Sequence, residues 1–312
     1  MNKIKRKIFN ILREIVKRKI TNNLGKVVED DEKIVCYVKR RKIKNRRFRY
    51  TIACHGIGKR EKELASIYKI NKPICYVIDG LEFKKKKVNI WGYNGCEIIV
   101  KNCRFDFDLD VNVNGKCTID DCFIMAFDNL SIGAKELIIK NMDIKNQLFL
   151  AGVNLQIFLG GNEKLEINNS NIGCEKEKTK VFLIARDEIG IYRSKIAGDM
   201  VECKSDKIIA GKKSLLSGTE KVVVNANKFY EINIDSPKIV YNDNEIEIDR
   251  RIVVLKRNTD PLKIKRREFI EFLKQLRDEC ENLNKEELDT YSKYLNNREI
   301  TKVLKKENKG LI

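Results

Sequence analysis

The chain is 312 residues long, 42% hydrophobic and 35% charged, a globular balance with room for one or two domains around a real core. No apolar run reaches the ~18 residues that cross a bilayer. Arg13, Glu14, Lys17, Arg18 and Lys19 also break up the apolar core that a secretory signal needs, so neither an integral membrane protein nor a leader-bearing one is expected. The formal net charge of +19 sits at one end: residues 1–90 hold 27 Lys and Arg against 9 Asp and Glu, while the other 222 hold 37 against 36. An N-terminal part that meets a polyanion follows from that asymmetry.

In chain order, 1–24 reads as a basic amphipathic helix. Ile4, Ile8, Ile11, Leu12, Ile15 and Val16 recur at three- and four-residue spacing, Lys3, Lys7, Arg13, Lys17 and Arg18 take the opposite face, and Asn22, Asn23 and Gly25 supply a stop. Such a helix can lie in an anionic membrane surface, with Ile4, Ile8, Ile11, Leu12 and Ile15 in the acyl boundary and the basic stems reaching the headgroups. The alternative is a stripe packed on the protein's own body.

Residues 25–87 read as a small basic β module. Strands are expected over 34–38 and 48–54, with Lys39, Arg40, Arg41, Lys42, Lys44, Arg46 and Arg47 in a turn between them and Arg49 just beyond. Tyr37, Phe48 and Tyr50 flank the run. Cations interleaved with aromatics serve single-stranded nucleic acid, although no complete nucleic-acid module is spelled out. A second block, Lys84, Lys85, Lys86 and Lys87, either extends this polyanion surface or is a charged edge that blocks strand pairing. His55 is the lone histidine and reads as structural, and Gly56, Gly58 and Lys59 lack P-loop spacing.

From 88 to 255 a theme repeats: a short strand, a polar corner, then a re-entering apolar residue. It recurs at 98–105, 117–124, 137–144 and 165–172, and more weakly at 189–196. The corners are Asn102, Asp121, Asn141, Asn169 and Arg193. Intervals of 19 to 28 residues suit stacked coils sharing one continuous core. Asn tolerates the left-handed backbone a corner needs, and stacked Asn side chains can bond to backbone at successive turns. The intervals exceed the 18-residue coil of left-handed hexapeptide acyltransferases, and His55 precedes the repeats, which speaks against that rival.

The pattern resembles the pectate-lyase-like family of right-handed parallel β-helices with asparagine ladders. The resemblance covers about half the chain and rests on apolar pattern and polar corners. It implies a mainly β fold, with glycan as the natural ligand of the β-helix face. The strand expected over 106–114 would point Phe107, Leu109, Val111 and Val113 inward and line Asp106, Asp108 and Asp110 on the outer face, ~6–7 Å apart. That arrangement would suit a Ca²⁺ site or an acid/base pair across a sugar bond, in an enzyme acting on polysaccharide. Asp120, Asp121 and Cys122 resemble the Asp-Asp-Cys element of polygalacturonase-type hydrolases, but the paired upstream Asn-Thr-Asp element is missing and His55 lies on the wrong side.

Ten cysteines without a CxxC pair or zinc spacing read as reduced buried thiols of a cytoplasmic protein. Residues 256–312 read as a helical cap, with helices over 266–283, 285–296 and 298–306 that also offer an oligomerisation surface. The resulting expectation is a non-catalytic scaffold docked by its basic N-terminal module to an anionic surface, the inner membrane face first among the candidates. A polysaccharide-active enzyme and a nucleic-acid-binding protein are the alternatives.

Overall fold

The computed structural model describes residues 3–21, 24–59, 61–126, 128–146, 155–174, 179–211, 213–230, 232–242, 244–247 and 253–255. The expected C-terminal helices, and the side chain of Ile4, lie outside the described residues. The described residues divide into two compact units: those in 3–19 and 59–71 form one, and those in 20–58 and from 72 onward the other.

In the first unit, helix α1 (Lys3–Ile20) packs on the segment around helix α2 (Lys62–Ile67). The inward side is wider than the isoleucine stripe: it takes in Val16 from the stripe and also Phe9, Arg13 and Lys17. Phe9 meets the ring of Tyr68 at 5.4 Å, Arg13 Nε donates to the Tyr68 carbonyl at 2.9 Å, and Val16 is buried. Lys17, expected on the watery face, is 4% exposed and held by Glu14 at 2.9 Å. The buried side therefore extends from the stripe, through Val16, round to Phe9 and Arg13. The physical reason is that α2 ends with orphan carbonyls, which a planar guanidinium can satisfy. Ile8, Ile11, Leu12 and Ile15 remain half-buried. No helix among the described residues is long and apolar enough to cross a membrane.

The second unit is a parallel β-helix of about seven turns. Each coil contributes three strands, and each strand lies in register on its counterpart in the next coil. In the first column Ile52, Ile90, Val111, Ile132, Leu159, Leu183, Cys203 and Val224 stack in order. The second column stacks Cys36, Tyr76, Ile98, Cys117, Leu137, Leu165, Ile189 and Ile208. The third stacks Phe83, Phe105, Ile124, Ile144, Ile172, Ile196, Leu216 and Ile234. All of these side chains are at most 1% exposed. The re-entering residues of the sequence repeat are therefore the third column. Period-2 alternation in each strand sends one set of side chains into this dry interior and the other to the surface.

The ladder starts well before residue 88. Strands Ile34–Val38 and Arg49–His55, expected to pair with each other as a hairpin, instead pair in parallel with Ile74–Asp79 and Lys87–Tyr93 and occupy two faces of the first coil. A 3-10 turn at Arg40–Lys42 and the buried Ile43 carry the chain around the corner between them. Antiparallel strands finish both ends: Gly25–Glu29 on Ile34–Val38, and Asn244–Glu247 on Lys238–Tyr241. Exposed edge groups are taken up in this way.

All five expected corners adopt the left-handed backbone, with φ between 47 and 52°. The side chains of the three Asn corners bond along the stack and not to backbone. Asn102 Nδ2 donates to Asp79 Oδ1, Asn141 Nδ2 to Asp120 Oδ1, and Asn169 Nδ2 to Asn141 Oδ1, each at 2.8 Å. The residue after each corner turns inward. Cys103 and Cys122 direct their thiols at the carbonyls of Lys101 and Asp120, at 3.2 and 3.3 Å, and Ser170 and Ser194 do the same to Asn168 and Tyr192. The nine described cysteines are free and eight are buried. Burial pushes the Cys75 and Cys117 thiols up to about 12, so these cysteines behave as small apolar side chains.

Candidate polyanion-binding surface

Two basic runs more than 30 residues apart in sequence meet on the first coils of the β-helix. The true hairpin is short: Lys44–Asn45 pairs antiparallel with the start of Arg49–His55, Asn45 opposite Tyr50, and Arg46 N donates to Arg49 O at 2.9 Å. Arg47 and Phe48 are its tip. Because Arg49–His55 lies in register with Lys87–Tyr93, Arg49 sits directly beside Lys87. Lys86 crosses between the runs. Its Nζ donates to Asn45 Oδ1 at 2.8 Å and to Arg46 O at 3.1 Å and lies 5.4 Å from the centre of the Tyr50 ring. The quadruple-lysine block is thus a corner of the second coil, not an edge; Lys85 takes φ 62° there.

Aromatic rings hold this surface in place. Arg40 Cζ lies 4.5 Å from the Tyr50 centroid and 4.6 Å from that of Phe83. Phe83 is fully buried and stacks on Phe105 at 5.1 Å. Arg40 therefore covers the first rung of the third column, and its guanidinium replaces the next coil by a cation–π contact. Of the twelve cations, Lys84 pairs with Glu82 at 3.0 Å and Lys87 with Asp110 at 3.8 Å. Lys39, Arg40, Arg41, Lys42, Lys44, Arg46, Arg47, Arg49, Lys85 and Lys86 have no acidic partner among the described residues. The surface runs on into a hollow of about 480 Å³ lined by Lys84, Lys85, Arg104, Asp106, Phe107 and Met125. Arg104 went unnoticed in sequence, because only the stacking of coils brings it beside the lysines.

The acidic candidates are separated. The strand begins at Leu109, so Asp106 and Asp108 precede it, and Phe107, expected inward, is only half-buried. Asp106 takes Arg104 Nε at 2.6 Å, Asp108 Oδ1 accepts the amide of Asp128 at 3.1 Å, and Asp110 faces Lys87. Asp120 is a rung of the corner ladder, and Asp121 is itself a corner. No cluster of three His, Cys, Asp or Glu able to hold a metal occurs among the described residues. His55 stacks on Tyr93 at 4.8 Å, and its carbonyl accepts the Tyr76 hydroxyl at 2.8 Å.

One feature of the outer face was missed. Phe158 is 38% exposed and lies over Gly160, where a Cβ would meet its ring at 2.7 Å. With Gly133, Gly161, Asn162, Arg186 and Lys204 it borders a hollow of about 370 Å³. The signal was present: in the alternation of 155–161, Phe158 is an outward position, and Leu159 alone separates it from two glycines. No protein-family model, curated protein or solved structure matches the chain.

Proposed function

We propose that this protein is a docking scaffold: the basic surface of the first coils binds a polyanion, and the β-helix is the rigid body that surface carries. The observation behind it is the meeting of the Lys44–Arg49 hairpin with Lys86 and Lys87, within two runs, 39–49 and 84–87, that hold ten cations without an acidic partner among the described residues. Like charges this close repel one another and raise the free energy of the unliganded fold, so an anionic partner is the natural complement. Buried free thiols are in keeping with a reducing compartment. The Asn corners support the resemblance to pectate-lyase-like proteins at the level of coil construction. No catalytic role is assigned to the dispersed carboxylates.

The test is retention on an immobilised polyanion such as heparin, with salt elution. Arg46, Arg47 and Arg49 are the residues to reverse to Glu, since Arg40 also supports the core. At about 1 kcal/mol per basic residue near an anionic surface, the triple variant should bind on the order of a hundred-fold more weakly. Wild-type protein that elutes without added salt, or a triple variant retained like wild type, would sink the reading.

A further inference from the structure

We infer that the polyanion is an anionic lipid bilayer and that Phe48 enters its surface; this rests on the polyanion reading above. Phe48 is 75% exposed, whereas the other exposed large apolar side chains among the described residues are 38–43% exposed. It stands at a hairpin tip, where turn chemistry favours Asn, Gly or Asp. Its neighbours are Arg46, Arg47 and Arg49, and Arg47 Cζ lies 5.1 Å from its ring centroid. An apolar ring thrust outward among three guanidinium groups fits an interface whose outermost layer is anionic and whose next layer is apolar.

A single-stranded nucleic acid asks for something else, a platform of several free ring faces on which successive bases stack. The neighbouring rings are already engaged. Tyr50 is contacted by Arg40 and Lys86 and packs edge-on against Phe83 at 5.5 Å, and Phe83 is buried. Tyr37, the third aromatic flanking the run, is 43% exposed but lies on strand Ile34–Val38 and not in the hairpin, so the hairpin tip offers one ring and distributed charge.

The experiment measures partition of the full chain onto phosphatidylcholine vesicles with and without phosphatidylserine, for wild type, Phe48→Ala and Phe48→Leu. Heparin retention and binding to a short single-stranded RNA run alongside. The expected result is partition only onto the serine-lipid vesicles, weakened roughly ten-fold or more by Phe48→Ala and largely restored by Phe48→Leu, because an aliphatic side chain can enter lipid. Heparin retention should not change, since neither variant alters charge. Equal vesicle partition of Phe48→Ala and wild type overturns the inference. So does heparin retention without vesicle binding, which leaves the polyanion reading standing. If both Phe48 variants lose RNA binding and vesicles are not bound, the partner is nucleic acid. If wild type fails on heparin as well, the underlying reading fails first.

Discussion

A single residue per coil decides whether this chain can turn its corner. Asn102, Asp121, Asn141, Asn169 and Arg193 all sit at φ near +50°, where an L-residue is disfavoured by about 1–2 kcal/mol unless, like Asn, its short side chain compensates locally. Arg193 has no such compensation. Arg193→Asn should raise stability by about 0.5–1 kcal/mol and offer the ladder another rung towards Asn169. Asn141→Val should lower it by about 2 kcal/mol or more, because a β-branched residue is strained there and the bonds with Asp120 and Asn169 are lost. Urea midpoints of the two variants check both signs; a neutral Asn141→Val would mean the corners are not under this constraint. The corners were legible in sequence because backbone conformation is a local property. Their hydrogen-bond partners were not, because which acceptor lies one coil below depends on coil length.

Among strands, the unit of stabilisation on the outer face is the cross-strand pair. Glu136, Lys164, Glu188 and Lys207 occupy one column on successive coils. Lys164 reaches Glu166 at 3.2 Å and Glu188 at 3.5 Å, and Glu188 takes Lys207 at 2.7 Å. Burial alone would raise the Glu166 pKa, but hydrogen bonds from Asn168 and Lys164 outweigh it and hold the carboxyl below its ordinary 4.5. A carboxylate with a depressed folded-state pKa contributes stability above its unfolded value and loses it as pH falls through the folded one. Glu166→Gln should therefore be less stable than wild type at neutral pH, and the gap should close as the pH drops below 4.5. Thermal or urea unfolding across that range measures it; a gap independent of pH would remove Glu166 from the network. For α1, sequence periodicity identified the helix but only part of its buried face. The Ile stripe marked one side of the buried surface, and the Tyr68 ring and the carbonyl ending α2 drew Phe9 and Arg13 in beside it.

Over the whole second unit, stability is held in columns that no coil can complete by itself. Leu165, fully buried, lies in register between Leu137 below and Ile189 above. Leu165→Ala should cost about 2–5 kcal/mol, because parallel strands fixed in register on both sides leave little freedom to collapse into the void. Equilibrium denaturation checks this, and a loss under about 1 kcal/mol would show the interior to be more loosely packed than these columns imply. The same stacking makes the candidate surface. It lays the coil holding Arg49 on the coil holding Lys87, and it parts Asp106, Asp108 and Asp110, which a uniform strand would have aligned.

Periodicity, corner residues and charge asymmetry were enough, by themselves, to determine the stacked-coil architecture, the left-handed corners and the basic character of the first third, since each is written in neighbouring residues. The tertiary structure alone decided that the ladder begins at the first basic strands, that Arg40 closes the third column, and that the two cationic runs form one surface. Those outcomes depend on which coil lies on which, a property of register between distant segments that no local window of sequence contains.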